Sequence, residues 1–178
     1  MTARYEERAE DALYAFLGNA TTGIAARCAA INTDMSETDY PLPGVGAWTT
    51  YQRARSRKLN PPLYAVIASP AVEEDDRREY QGIFIVDCTV DLVIGVPSHR
   101  SNPTAMQVMR NRAARAVREC IMETDNWDGH TLGDATGILD AKINGKPTFL
   151  DLEKAKKRAI AVRFPVRVKV VELRAITA

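Results

Sequence analysis

Two segments of the chain alternate apolar and polar side chains over an unusual length, and they constrain the fold more than any other feature. They span residues 83–96 and 159–173. Successive side chains of a β-strand point to opposite faces, so this alternation predicts two long strands, each with one buried face. The predicted core positions are Phe84, Val86, Cys88, Val90, Leu92 and Ile94 in the first segment, and Ile160, Val162, Phe164, Val166, Val168 and Val170 in the second.

Two carboxylates, Asp87 and Asp91, lie on the other face of the first segment and raise the question of a catalytic or metal site. Residues four apart in a strand share a face but stand ~13 Å apart at ~3.3 Å per residue. A glycosidase needs its two carboxyls roughly 5 to 9.5 Å apart. Two ligands of one calcium or magnesium ion must both lie within roughly 2 to 2.6 Å of it. The spacing therefore argues against a two-carboxylate site in one straight strand.

The second segment carries basic residues on its own outward face, namely Arg163, Arg167 and Lys169. Opposite charges on neighbouring strands stabilise a sheet and fix its register. We therefore predict that the two segments pair, either within one chain or across a subunit boundary, and that these charges are structural rather than catalytic. Pro165 cannot donate a hydrogen bond to a ladder, so it predicts an edge or a bulge.

Helical periodicity occurs in two places. Residues 3–17 place apolar side chains at three- and four-residue spacing, which predicts an amphipathic helix. A second helix is predicted to begin near Pro103, which suits a first helical turn, and to run to about residue 122. Residues 22–31 are ambiguous between a strand and a further helix, because alanine favours helix while the flanking turn residues favour neither.

Shorter patterns complete the predicted fold. Residues 63–72 read as a strand that forms a hairpin with residues 83–96, and Asn144-Gly145 suits the turn of a second, small hairpin. The expected fold is a single α+β domain over residues 1–178. It has a mostly antiparallel sheet with two helices packed on one face, a small β-hairpin and a long loop.

The long loop covers residues 32–62, and its composition is unusual. Loops of this length in compact domains are uncommon unless they bind something or are disordered. The loop contains three aromatic residues, Tyr40, Trp48 and Tyr51. Their side chains need burial, and a partner subunit is one candidate for providing it. The loop also contains four basic residues, Arg53, Arg55, Arg57 and Lys58. They suggest an extended arm with one charged side, which would suit contact with DNA phosphates or with an acidic protein surface.

Composition and spacing argue against several classes of function. The 178 residues include 24 basic and 23 acidic side chains, a balance that gives no reason to expect bulk nucleic-acid binding. Three cysteines without close spacing argue against a disulfide framework or a zinc ribbon, and Cys88 and Cys120 fall on predicted core faces. His99 and His130 have no second ligand at metal-binding spacing. We expect no catalytic residues, no metal, no cofactor and no membrane span, and hence a protein that is not an enzyme.

The order of these elements resembles that of a known family. The matching parts are the helix around Ala12 to Leu17, the strand IFIVDCTVDLVIGV, the helix MRNRAARAVREC and the closing strand AVRFPVRVKVVEL. They are similar in order and pattern to tail terminator and head–tail joining (neck) proteins of tailed bacteriophages, over most of the chain. The resemblance implies a structural virion protein, made in the bacterial cytoplasm, that forms a ring of usually six subunits at the head-proximal end of the tail tube.

The same resemblance implies the partners. They are further copies of the chain, the tail tube protein and a neck or head-completion protein, while genomic DNA passes through the lumen without sequence-specific binding. A ring needs two different complementary patches on each subunit. We expect these from the loop aromatic and basic residues, from Asp87 and Asp91, and from Arg163, Arg167 and Lys169. Alternative interpretations are another neck component, a nucleic-acid-binding module that uses Arg53 to Lys58, or a small enzyme with a dispersed site.

Overall fold

A computed structural model describes residues 5–36, 40–51, 61–74, 81–97, 102–122, 138–154 and 157–173. These residues form three helices and seven strands, so the predicted α+β class is confirmed. In chain order the elements are α1 (Tyr5–Leu17), α2 (Ile24–Asp34), β1 (Thr49–Tyr51), β2 (Leu63–Ala68), β3 (Val72–Glu74), β4 (Gln81–Val96), α3 (Pro103–Met122), β5 (Ile138–Ile143), β6 (Thr148–Lys154) and β7 (Lys157–Leu173). None of the described helices combines the length and apolarity needed to cross a membrane.

The strands form one sheet in the order β1-β2-β4-β7-β5. β3 continues β2 along one side of β4, and β6 continues β5 along the far side of β7. Every pairing is antiparallel except that of β1 with β2, which is parallel. The predicted hairpin between residues 63–72 and β4 is therefore confirmed, with a break at residues 69–71.

The two long alternating segments are the central strands β4 and β7, and they pair without interruption from Gln81↔Leu173 to Val96↔Arg158. This register places the predicted core positions of both strands on one face, as in the pairs Val86↔Val168 and Val90↔Phe164. All four of these side chains are completely buried. The alternation therefore located the core of the sheet correctly.

Helices α1 and α3 cover this apolar face. α1 contributes Leu13 and Phe16, and α3 contributes Met109, Ala113 and Val117, all at most 2% exposed. None of the three described helices lies on the opposite face of the sheet. This face is formed by the odd-numbered positions of β4 and β7 and is called the helix-free face below.

The two predicted helices are α1 and α3, and the stretch left ambiguous between strand and helix forms a third helix, α2. Ile24, Cys28 and Ile31 are spaced four and three residues apart, which places them on one side of a helix. All three are at most 1% exposed, and α2 packs beside α3. Burial of these three apolar side chains stabilises the helix, whereas local propensity did not distinguish a helix from a strand.

The expectation of a hairpin at Asn144-Gly145 was wrong, since β5 and β6 do not pair with each other. Both pair with β7, so they run in the same direction end to end along it. Four residues, 144–147, stand opposite two residues of β7, Phe164 and Pro165, which forms a bulge. Asn144 donates its N–H to the carbonyl of Pro165 at 2.8 Å, so the Asn-Gly pair closes a bulge instead of reversing the chain. The prediction of an edge or bulge at Pro165 is confirmed.

Candidate interaction surfaces

The helix-free face carries two Arg–Asp pairs between the central strands. Arg163 stands directly opposite Asp91 and donates from Nε to Oδ1 and from Nη2 to Oδ2, both at 2.7 Å. This two-point geometry matches the planar guanidinium to the planar carboxylate. Hydrogen bonding to Asp91 also raises the pKa of Arg163.

Arg167 and Asp87 repeat the arrangement four positions along. Their register pair is joined by hydrogen bonds of 2.8 Å and 3.1 Å. The pKa of Asp87 is lowered, chiefly by the hydrogen bond from Arg167, although partial burial of the carboxyl acts in the other direction. The predicted match between the acidic and basic strand faces is thus made inside one chain.

Further charges extend these rows across the sheet. On the β5 side of β7, Asp140 stands opposite Lys169 and Lys142 stands opposite Arg167. The basic positions of β7 therefore lie between the carboxylates of β4 and the mixed charges of β5. The result is a charged surface of nearly balanced sign in which two Arg–Asp pairs are fixed by hydrogen bonds.

Apolar patches lie at both ends of the helix-free face. At one end, Leu63, Val93 and Ala161 form a small buried cluster. At the other end, on strands β2 and β3, Ile67 is 58% exposed and Val72 is 67% exposed. Their register partners, Thr89 and Ile85, place both on this same face. An exposed apolar patch beside an ordered charged surface is a feature of contact sites.

One edge of the sheet is closed by side chains of α1, an arrangement that the sequence interpretation missed. Tyr14 Oη accepts the N–H of Val66 at 2.9 Å, Glu10 accepts the N–H of Ala68 at 2.9 Å, and Glu6 accepts the N–H of Ala71 at 2.8 Å. β1 pairs with the preceding residues, Leu63 to Ala65. Backbone groups along the outer side of β2 and the following turn are therefore occupied, and this side is called the β2 edge below. In the sequence, this arrangement could have been suspected from the four-residue spacing of residues 6, 10 and 14, which places their polar side chains on one side of α1.

The loop aromatics that the structure describes pack on their own subunit. Tyr40 and Trp48 are half-buried against the core. Arg112 donates to the carbonyl of Tyr40 at 2.9 Å, and the side chain of Asn32 binds both the N–H and the carbonyl of Leu42. Much of the burial that these aromatic residues need is thus provided within the chain. The side chain of Tyr51, and Arg53, Arg55, Arg57 and Lys58, lie outside the described residues.

The described residues offer little reactive chemistry. Within them, no group of three or more His, Cys, Asp or Glu side chains is placed to hold a metal ion. The three cysteines are free and buried. Burial is the main cause that raises the pKa of Cys28 to about 12 and that of Cys88 to about 12, so both thiols stay protonated and inert near neutral pH. His99 and His130 lie outside the described residues.

Comparison with known proteins gives no family for this chain. No protein-family model matches it, and no curated protein matches it. Similarity therefore identifies neither a function nor a partner for this chain.

Proposed function

We propose that the protein is a structural subunit of a phage virion, a tail terminator that forms a ring at the head-proximal end of the tail tube and joins it to the neck. The observation that carries the proposal is the helix-free face. It presents two fixed Arg–Asp pairs beside exposed apolar side chains, which is a surface built for packing and not for chemistry. The element order that resembles tail terminators and neck proteins supports the same interpretation.

The helix-free face suits a subunit contact for a physical reason. Arg163 and Arg167 are each held by two hydrogen bonds, so they lose little conformational freedom when a neighbour packs on them. The exposed Ile67 and Val72 add apolar area that a neighbour can bury. A closed ring needs this patch to meet a different patch on the next subunit. Tyr40 and Trp48 lie on one candidate for that second patch, the loop that follows α2.

The proposal includes partners beyond the ring. The two faces of the ring would contact the tail tube protein and a neck or head-completion protein, and genomic DNA would pass through the lumen.

The first test is the mass of the purified protein in solution, measured by light scattering. We expect six subunits for each ring, and Ile67→Lys together with Val72→Lys should shift the protein toward smaller species by placing charges in the contact. Met122→Lys is the matched control, because Met122 is 59% exposed at the end of α3 and lies off the helix-free face. A monomer that binds DNA with a steep loss of affinity in salt would instead favour the nucleic-acid-binding module.

A second test separates a terminator from another neck component, which the same surface would also suit. Phage particles assembled without the protein are imaged by electron microscopy. A terminator predicts tails of uncontrolled length, because nothing stops growth of the tube. A neck adaptor predicts tails of normal length that remain unjoined to heads. Normal particles would contradict both versions of the proposal.

A further inference from the structure

The two edges of the sheet differ. The β2 edge is covered by β1 and by Tyr14, Glu10 and Glu6. The other edge is formed by β5 and β6, and among the described residues β6 pairs with β7 alone. The outer side of β6 is called the β6 edge below. An uncovered strand edge presents backbone donors and acceptors, and its natural partner is another β-strand.

The β6 edge also exposes apolar side chains on both faces of the sheet. Phe149 stands opposite the buried Val162 on the helix-covered side and is 40% exposed. Leu150 stands opposite Ala161 on the helix-free side and is 36% exposed. A strand added at this edge would cover both side chains while it satisfied the backbone of β6.

We propose that the β6 edges of two copies of this chain pair in an antiparallel arrangement about a two-fold axis, with Phe149 of one copy directly opposite Phe149 of the second copy. The closed β2 edge supports this choice. Head-to-tail addition would place β6 of one copy on β2 of the next, and the α1 side chains already occupy the N–H groups of Val66, Ala68 and Ala71. These contacts oppose addition of β6 to β2 and leave the pairing of β6 with β6, which is an isologous contact.

Charge and the pairing of apolar side chains favour one register. In a continuous sheet, directly opposed residues lie on the same face, so the two-fold axis must pass through a residue and not between two. An axis at Asp151 would bring two carboxylates together, and an axis at Leu150 would place Phe149 against Asp151 of the second copy. An axis at Phe149 pairs the two aromatic rings, sets Leu150 opposite Thr148 and sets Asp151 opposite Pro147, so no like charges meet over these positions. Arg110 of α3 binds Asp151 within its own copy, which further balances this carboxylate.

This pairing is independent of the proposed ring, and one measurement separates the two ideas. A two-fold contact cannot close a ring of six by itself, but it can join two such rings. A mass of two subunits supports the β6 pairing and counts against the ring. Six subunits that Phe149→Lys with Leu150→Lys leaves intact support the ring and overturn the pairing. Twelve subunits support both, and a monomer at all concentrations overturns both.

Substitution at the β6 edge tests the contact itself. Phe149→Lys combined with Leu150→Lys should convert two subunits to one, or twelve to six, because four lysines would meet across the axis. Met122→Lys introduces a charge at an exposed apolar position away from the β6 edge and should leave the mass unchanged. An unchanged mass for the double variant, with helix and strand content retained by circular dichroism, would overturn the proposal.

A cysteine placed at the axis tests the register. Opposed residues of antiparallel strands have Cα atoms ~4.5–5.5 Å apart, within the ~4.4–6.8 Å that a disulfide spans. With a copper–phenanthroline oxidant to accept the two electrons, Phe149→Cys should form a covalent dimer on a non-reducing gel. Lys146→Cys is the control, because residues 146 of the two copies would lie ~20 Å apart. The native cysteines are buried and should not contribute. No dimer with Phe149→Cys, or equal dimer with Lys146→Cys, would overturn this register.

Discussion

The hydroxyl of Tyr14 bonds to both backbone groups of Val66. It accepts the Val66 N–H at 2.9 Å and donates to the Val66 carbonyl at 3.4 Å, so one side chain of α1 takes the place of a neighbouring strand. Val66 is only 2% exposed, which leaves its backbone little access to water. Together with Glu10 and Glu6, Tyr14 fixes the first helix against the β2 edge.

Tyr14→Phe should therefore lower the free energy of unfolding by about 1–3 kcal/mol, because the buried N–H of Val66 loses its acceptor. Urea unfolding followed by circular dichroism measures the change. Tyr64→Phe is a matched control, since this ring lies 6.1 Å from that of Tyr14 and its hydroxyl has no hydrogen-bond partner among the described residues. The control should lower stability less, because it removes no hydrogen bond between described residues. Equal effects of the two substitutions would contradict the role given to the Tyr14 hydroxyl.

The two Arg–Asp pairs should contribute unequally to stability. The Asp91 side chain is 18% exposed, whereas that of Asp87 is 53% exposed and is better screened by water. A double-mutant cycle with alanine at Asp91 and Arg163 should give a coupling near 1 kcal/mol, the upper end for a cross-strand ion pair. The cycle at Asp87 and Arg167 should give less and should fall more in high salt. A larger coupling at Asp87 would refute this ranking.

Asp87 should make stability depend on pH in the acid range. Its pKa is lower in the folded chain than in the unfolded one, so its contribution is present above the ordinary Asp pKa of ~3.9 and is lost as the pH falls through the folded value. The Asp87→Asn variant cannot lose this contribution. Urea unfolding at pH 7 and at several lower values should therefore show a shallower decline for the variant than for the wild type. Parallel curves would mean that the Arg167 contact does not perturb Asp87.

Gly145 should tolerate no side chain. Its φ is +139°, and a Cβ there would lie 3.1 Å from Cγ of Pro165 in the bulge between β5 and β6. Gly145→Ala should cost about 1–3 kcal/mol, the range expected for backbone strain of this kind. Gly44→Ala is the control, because a Cβ at Gly44 would meet nothing within 4 Å. Thermal unfolding of both variants measures the difference, and similar melting temperatures would show that the bulge can adapt.

The sequence predicted the parts of the fold that depend on alternation along one strand. The even positions of β4 and β7 gave the buried face, and the odd positions gave the match of Asp87 and Asp91 with Arg163 and Arg167. Whether a position in the strand is odd or even decides which face its side chain occupies, because a shift of one residue would turn every side chain to the other face. The two helices with clear apolar stripes, α1 and α3, were found for the same kind of reason.

Features set by distant partners could not be read from local patterns. Asn144-Gly145 is a strong local turn signal, yet the long edge of β7 holds both flanking strands, and the pair closes a bulge against Pro165. The stretch that became α2 depended on burial beside α3. The α1 contacts to the β2 edge join residues more than fifty positions apart. The spacing of Glu6, Glu10 and Tyr14 therefore could not predict these hydrogen bonds until the position of β2 was known.

The central ladder also shapes the route by which the chain folds. Its register pairs join residues separated by 62 positions at Val96↔Arg158 and by 92 positions at Gln81↔Leu173. Contacts of such long range slow folding, because the intervening chain must be closed into a loop before they form. At about 5–20 residues per second, synthesis reaches β7 several seconds after β4. During that interval β2, β3 and β4 can already pair as a hairpin. The edge of β4 that β7 later pairs with is then open to strands of other chains, so crowded synthesis is the stage at which this protein is most exposed to misassembly.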